Sequence, residues 1–182
     1  MDHLGMPMRE GVNFVHNALI GINARDRVKI GTAGKIATGF DMARAMAIGA
    51  DWCNSARGFM FALGCIQSQS CHTGNCPTGV TTQDPLRQRA LDVPTKSQRV
   101  FNYHQQTLHA LKELVQAAGL MHPRDISAFH IVRRAANDEV RLLANVLPFV
   151  EPGALLAGDM PHQVFRTYWP LADASSFAVT RA

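Results

Sequence analysis

The chain has 182 residues, of which 47% are hydrophobic and 18% charged, so it can bury the core of one domain or of a large part of one. Its net charge of +4 is spread along the sequence without a basic run, which argues against a nucleic-acid surface. No apolar stretch is long enough to span a membrane and the start lacks a secretory pattern, so the sequence predicts a cytoplasmic protein with reduced cysteines.

Helical and extended patterns alternate through the first third of the chain. In chain order the predicted elements are a helix at 9–23, a strand at 28–30, a helix at 38–49, a strand at 50–54 and a helix at 58–64. Thr38 and Asp41 have the spacing of a capping box, and Gly49 stands where that helix should stop. Such alternation indicates βα units, an α/β fold and a parallel sheet. Two strands cannot bury themselves, so we expect part of a larger fold or a partner that completes it.

The strongest helix pattern of the sequence covers residues 94–119. Thr95 and Gln98 have capping-box spacing at its start, and Gly119 closes it. The residues predicted to line one face are Val100, Tyr103, Thr107, Leu111, Leu114 and Ala118. Two shorter helices are predicted across 123–147, and residues 152–182 are expected to be an irregular tail. The expected organisation is therefore 1–94 with the βα units, 95–150 as a helical segment and 151–182 as the tail.

Three of the four cysteines lie in one loop with the spacing C-x5-C-x4-C. They are Cys65, Cys71 and Cys76. Buried free cysteines are common, but Gln67 and Asn75 make this loop too polar for a core. A structural zinc with His72 as fourth ligand and an iron–sulfur cluster both use thiolates, and the spacing leaves these two alternatives open. The fourth cysteine, Cys53, is on a predicted strand and is expected in the core.

The loop and its surroundings resemble the FMN-binding synthase domain of glutamate synthases. The stretch ALGCIQSQSCHTGNCPTGVTTQD follows the family pattern ALGC-x5-CH-x3-CP-x-GV-x-TQD. The matching positions are Cys65, Cys71, His72, Cys76, Pro77, Gly79, Val80, Thr82, Gln83 and Asp84. The resemblance covers residues 1–95 well and extends loosely to about 150. It implies that Cys65, Cys71 and Cys76 hold a 3Fe–4S cluster, while His72 donates a hydrogen bond nearby.

The same resemblance implies a (β/α)8 barrel with FMN at the C-terminal ends of its strands. The two strands would be the last two of that barrel, and the turns after them would hold the FMN phosphate through backbone amides. Where the family has Asp-Gly-Gly and Gly-Thr, this chain has Ala33-Gly34-Lys35 and Ala56-Arg57. Both turns keep their backbone amide donors, and the side chains of Lys35 and Arg57 add positive charge. Gly34, Lys35, Ala56 and Arg57 are therefore the expected cofactor-binding residues, with two ordinary βα turns as the alternative.

The activity that the resemblance implies is reductive. In the intact family, electrons pass between the iron–sulfur centre and FMN, and reduced FMN gives hydride to the 2-iminoglutarate formed from 2-oxoglutarate and ammonia. A ferredoxin or a reductase subunit supplies the electrons. Six strands of the barrel find no counterpart here, and residue 2 is Asp where the family's glutaminase domain would need a cysteine. We therefore expect a partial domain, inactive alone and without an assignable catalytic residue; the alternatives are a zinc-stabilised helical interaction module or an inactive fragment.

Overall fold

A computed structural model describes residues 5–135 and 139–176. Its helices and strands are α1 Met8–Gly21, β1 Gly31–Ala33, α2 Gly39–Ala47, β2 Trp52–Asn54, α3 Arg57–Leu63, α4 Pro85–Gln88, α5 Val93–Ala117, β3 Val132–Arg134, β4 Val140–Leu142 and α6 Gln163–Tyr168. β1 and β2 are parallel, with Thr32 opposite Cys53. β3 and β4 are antiparallel, with Arg133 opposite Arg141. The predicted α/β class and the parallel pairing are confirmed.

The parallel pair is covered on one face and open on the other. Thr32 is buried and Cys53 packs against the core, where burial raises the pKa of the Cys53 thiol to about 11. This confirms the predicted core position of Cys53. On the open face Trp52 is 47% exposed and lies so close to Gly31 that a Cβ there would be 2.4 Å from the ring. Parallel sheets are ordinarily covered on both faces, so the arrangement is consistent with a partial domain.

The main hydrophobic core lies where α2 packs against α5. Ile48 of the α2 C-terminus and Leu111 of α5 are both buried. A Cβ on Gly39 would fall 2.7 Å from the Leu111 nitrogen, so glycine lets the two helices approach closely. The predicted capping box is confirmed, because the Thr38 hydroxyl accepts from the Asp41 amide and the Asp41 carboxylate accepts from the Thr38 amide, each at 3.1 Å.

A partly buried ion pair between Arg25 and Asp51 links the N-terminal ends of β1 and β2. Arg25 Nη2 donates to Asp51 Oδ2 at 2.8 Å and to the Gly49 carbonyl at 2.9 Å. Asp51 Oδ2 also accepts from the Ile30 amide at 2.8 Å, and Arg25 Nε donates to His16 Nδ1 at 2.9 Å. Burial and the neighbouring guanidinium lower the pKa of His16 to about 4, so the imidazole is neutral and can accept this bond.

A second, smaller apolar cluster joins the C-terminal segment to α1. Phe165 of α6 is 2% exposed and stacks on Phe14 with ring centroids 4.8 Å apart. Asn17 of α1 accepts from the Val150 amide at 2.7 Å and donates to the Pro148 carbonyl at 3.1 Å. The prediction of an irregular tail is therefore wrong for α6, which short-range periodicity did not reveal. Residues 177–182 of that tail lie outside the described residues.

The two helices predicted across 123–147 are also absent from the described residues there. The chain forms a 3-10 turn at Pro123–Asp125 and then the β3–β4 hairpin. The reason is local, since the β-branched residues Ile131, Val132 and Val140 favour extended backbone. The 95–150 segment is therefore helical only in its first half. Residues 136–138 lie outside the described part.

Smaller corrections concern element boundaries. The strand predicted at 28–30 begins at Gly31, because the Ile30 amide is bound to the Asp51 carboxylate. α5 begins at Val93, with Asp92 accepting from the Thr95 amide at 3.1 Å, so the predicted Thr95–Gln98 box is wrong.

The predicted apolar face of α5 needs one change at its end. Val115 is buried there and Ala118 is exposed, although Leu111 is buried as expected.

Among the described residues, no helix is both long and apolar enough to cross a membrane.

Candidate functional site

The turns that follow β1 and β2 lie at the same edge of the sheet, because the two strands are parallel neighbours. The first turn carries Gly34 and Lys35, and the second carries Ala56 and Arg57. These are the four residues predicted to bind a cofactor, and both basic side chains are exposed. Edges formed by the carboxyl ends of parallel strands are the usual ligand sites of α/β folds.

Two long-range hydrogen bonds and one contact between two hydroxyl groups tie these turns together. Ser55 Oγ, in the second turn, donates to the Ile36 carbonyl at 2.6 Å, just after the first turn. The Tyr103 hydroxyl of α5 donates to the Ala37 carbonyl at 2.8 Å and lies 3.2 Å from Ser55 Oγ. Residues 32–35 and 55–58, held in this way by Tyr103, are called the braced turns below. Their relative position is therefore fixed by α5.

Gly58 leaves room for the Tyr103 hydroxyl to reach the Ala37 carbonyl. A Cβ at this position would lie 2.0 Å from the Tyr103 hydroxyl oxygen and 2.7 Å from Ser55 Oγ. Any side chain would therefore displace the tyrosine that reaches Ala37. Ala56, the N-cap of α3, provides no side-chain cap, so the first amides of α3 have no side-chain partner there. Uncapped amides at a helix start are suited to an anion.

The first turn has an unusual backbone. Gly34 has φ +148° and Lys35 has φ +55°, the left-handed region that side chains other than glycine rarely adopt. In the family resemblance a glycine takes the place of Lys35, and a glycine would adopt this φ without strain. Strained residues of this kind are concentrated at ligand-binding turns, where the surrounding structure holds them. Lys35 therefore adds a cation at a position whose φ a glycine could also adopt.

The three loop cysteines differ in exposure. Cys65 is half-buried, Cys71 is exposed and Cys76 is buried, and none is in a disulfide. Within residues 5–135 and 139–176, no three cysteine, histidine or carboxylate side chains come together as a metal site. The structure therefore does not gather the predicted ligands on one centre. His72 is exposed in a 3-10 turn, Cys71–Thr73, and its predicted hydrogen bond stays a prediction.

Cys76 nevertheless has the chemistry of a metal ligand. Its Sγ lies 3.4 Å from Thr78 Oγ1. Hydrogen bonds from Thr78 and then Thr81 lower the pKa of the Cys76 thiol to about 6, against the opposing effect of burial. The thiolate is the form that binds metals and acts as a nucleophile. This cysteine is therefore largely ionised at neutral pH.

The cysteine loop, residues 65–84, is held by contacts with nearby sequence. Asp84 caps α4 by accepting from the Leu86 amide at 2.9 Å, and Arg87 Nη1 donates to the Asn75 carbonyl at 3.4 Å. Gly79 has φ +75°, and a Cβ there would be 2.5 Å from the Arg87 carbonyl oxygen. The loop thus folds against the helix that follows it.

Sequence reasoning missed the contacts that Ser55 and Gly58 of the second turn make with Tyr103. Tyr103 was expected only on the inner face of the long helix. A signal was present, because a tyrosine on an apolar face needs a partner for its hydroxyl. The identity of that partner depends on tertiary structure and could not be read from the sequence.

Comparisons with known proteins cover both the turns and the cysteine loop. Residues 1–121 match the family model described as the conserved region in glutamate synthase. The glutamate synthase large subunit-like protein YerD of Bacillus subtilis is 38% identical over 146 residues, which is 80% of this chain and 28% of that protein. Ferredoxin-dependent glutamate synthase 2 of Synechocystis is 38% identical over 112 residues, 61% of this chain and 7% of that protein.

An archaeal NADPH glutamate synthase from Methanocaldococcus jannaschii is 34% identical over 119 residues, 65% of this chain and 23% of that protein. The chain thus spans less than a third of each of these relatives. The family model covers well over half of the chain, including every residue of the braced turns and the cysteine loop. The chain belongs to the glutamate synthase family.

Proposed function

We propose that this chain is part of a glutamate synthase-like oxidoreductase that uses FMN to convert 2-oxoglutarate and ammonia to glutamate. In this proposal the chain supplies the last two βα units of a (β/α)8 barrel and the phosphate end of the flavin site. The observation that carries the proposal is the pair of braced turns at one edge of a parallel pair of strands. Catalytic residues are not assigned within this chain.

The donor set of the braced turns fits a phosphate. The amides at the start of α3 are free of side-chain caps, and Gly34 and Lys35 of the first turn both have positive φ. Lys35 and Arg57 provide cations at the same edge. When bound, FMN supplies hydride transfer. The chain's own residues would hold the phosphate, and Ser55 and Tyr103 would keep the two turns in register.

We also propose Cys65, Cys71 and Cys76 as the ligands of a 3Fe–4S cluster. The lowered pKa of Cys76 and the family membership of the loop support this assignment. As described above, the cysteines are not gathered, so they do not fit the cluster without movement of the loop. No reaction step is therefore derived through it.

The proposed electron donor is a ferredoxin or a reductase subunit. Relatives named as ferredoxin-dependent and as NADPH glutamate synthases support both kinds of donor in the family. The proposed substrates, 2-oxoglutarate and ammonia, are those that the family resemblance implies.

Flavin binding tests the proposal. FMN fluorescence quenching should show saturable binding to the chain, and Arg57→Gln and Lys35→Gln should each weaken it about tenfold, as expected for a lost charge-assisted hydrogen bond. Arg124→Gln removes the same charge at an exposed site away from the turns and should leave binding unchanged. Equal binding by all three variants, or no binding by the wild type, would overturn the proposed phosphate site.

Metal analysis tests the cluster separately. After anaerobic reconstitution, iron and acid-labile sulfide should be present in the ratio of the 3Fe–4S formula, and Cys71→Ser should abolish incorporation. One zinc without iron would contradict the cluster and favour a zinc-stabilised interaction module.

A further inference from the structure

A cavity whose lining includes no residue of the braced turns is lined by four arginines. It has a volume of about 210 Å³ and lies between the start of α1, the middle of α2 and the β3–β4 hairpin. The arginines come from three different elements: Arg9 of α1, Arg44 of α2, and Arg133 and Arg134 of β3. Glu10 is the one acidic residue of the lining. We call this feature the arginine cavity.

The four arginines outnumber the nearby carboxylates, which are Glu10 of the lining and Asp41 beside Arg44. Arg44 Nη2 donates to Asp41 Oδ1 at 2.8 Å. That carboxylate is already engaged in capping α2, since its other oxygen accepts from the Thr38 amide. In the described part of the chain, no carboxylate lies within ion-pair distance of Arg9, Arg133 or Arg134.

The guanidinium groups affect one another across the cavity. Burial lowers the pKa of Arg44 below its ordinary value, and Arg9 and Arg133 lower it further, while Asp41 opposes them. Like charges brought together in this way repel each other. An anion between them would relieve the repulsion, and guanidinium groups bind carboxylates and phosphates through paired hydrogen bonds.

The floor of the arginine cavity is apolar. Ile48, Ile131 and Leu143 line it, with exposed fractions of 1%, 7% and 5%. The volume is below the roughly 300 Å³ at which pockets for drug-sized ligands begin, so the occupant must be small. A charged rim over an apolar floor suits a ligand with an anionic group and a short hydrocarbon part.

We propose that the arginine cavity binds a small organic anion that carries a phosphate or a pair of carboxylates on an apolar body. The site is independent of the proposed flavin site, because none of its lining residues belongs to the braced turns. Occupancy joins α1, α2 and the hairpin, and therefore stabilises the packing of the hairpin on the two helices. The proposal assigns a ligand site to residues that flavin binding does not use.

Calorimetric titration of the full chain tests this proposal with phenyl phosphate, benzylsuccinate and inorganic phosphate as probes. At least one of the two organic anions should bind saturably and more tightly than inorganic phosphate, because only the organic probes reach the apolar floor. Arg9→Gln and Arg133→Gln should each weaken that binding about tenfold. Far-UV circular dichroism checks that each variant keeps its helices.

Two control variants make the result decisive. Arg27→Gln removes an equal charge from an exposed 3-10 turn outside the cavity and should bind as the wild type does. Arg57→Gln changes the proposed flavin site, which is itself a candidate phosphate site, so it should leave the affinity for benzylsuccinate unchanged. The proposal is overturned if no probe binds at millimolar concentration, if all four variants lose affinity equally, or if only Arg57→Gln loses it.

Discussion

The braced turns and the cysteine loop are neighbours in sequence but are held in different ways. The side-chain hydrogen bonds of the braced turns join residues 19 and 66 positions apart, and the contact between the Ser55 and Tyr103 hydroxyls joins residues 48 positions apart. In the cysteine loop, the longest side-chain hydrogen bond spans 12 positions. One region is therefore fixed by the fold, whereas the other depends on local contacts. We infer that the turns are preformed for their ligand and that the loop takes its final arrangement when its ligand arrives.

Two Gly→Ala variants, one in each region, should show the difference between the two regions most clearly in urea unfolding. Gly58→Ala places a Cβ against the Tyr103 hydroxyl and should lower the free energy of unfolding by about 2–3 kcal/mol. In the cysteine loop, Gly74→Ala meets open space and is strained only by its φ of +74°. Its strain should be confined to a loop that opens separately, so the main urea transition should keep its midpoint. A larger shift for Gly74→Ala than for Gly58→Ala would contradict the comparison.

Removing the Tyr103 hydroxyl alone should lower the free energy of unfolding by less than Gly58→Ala does. Tyr103→Phe leaves the Ala37 carbonyl and Ser55 without a partner from α5, and should cost about 1–2 kcal/mol in urea unfolding. Tyr168→Phe is the matched control, because Tyr168 is 57% exposed. Its effect should stay within about 0.5 kcal/mol. Equal costs for the two variants would show that the turns are not braced by Tyr103.

The N-terminal ends of β1 and β2, where His16 accepts from Arg25, should respond to acid. The pKa of His16 is about 4 in the folded chain against 6.5 in the unfolded chain, because burial and Arg25 disfavour the imidazolium and Asp51 only partly compensates. The unfolded chain therefore binds more protons between these values, and the free energy of unfolding falls as the pH falls from 6.5 to 4.

His16→Gln should flatten this part of the stability profile, measured by urea unfolding at several pH values. The matched control is His72→Gln, at an exposed position of the cysteine loop, which should keep the wild-type slope. If the two variants have the same profile, the protonation of His16 does not control the acid response.

The smallest change in the free energy of unfolding is expected for a substitution in the cysteine loop when no metal is bound. Cys71 is exposed, so Cys71→Ser should change the free energy of unfolding by less than about 0.5 kcal/mol in the absence of metal. Hydrogen exchange should be faster for loop amides than for those of β1 and β2. Slow exchange of the loop in metal-free protein would contradict the view that its ligand completes it.

The sequence predicted those features that depend on nearby residues. The capping box of Thr38 and Asp41 and the alternation of helix and strand are local patterns, and both are present. The position of Cys53 also followed from its strand. The loop motif pointed to the correct family because the residues around the cysteines, up to Thr82, Gln83 and Asp84, follow the family pattern; the cysteine spacing alone left zinc and iron–sulfur open.

Features that depend on tertiary contacts could not be predicted in this way. Ser55 and Tyr103 are 48 positions apart, and nothing in either segment indicates the other. α6 is short and is held through the stacking of Phe165 on Phe14, so its own periodicity is a weak signal. The β3–β4 hairpin was read as helix because its strands have only three residues each.

The most direct test of the central claim compares FMN with riboflavin, which lacks only the phosphate. If the braced turns are a phosphate site, equilibrium titration of the chain should give an affinity for FMN at least about a hundredfold above that for riboflavin, since several charge-assisted hydrogen bonds are lost together. Arg57→Gln should reduce this preference. Equal affinities for the two flavins would contradict the account.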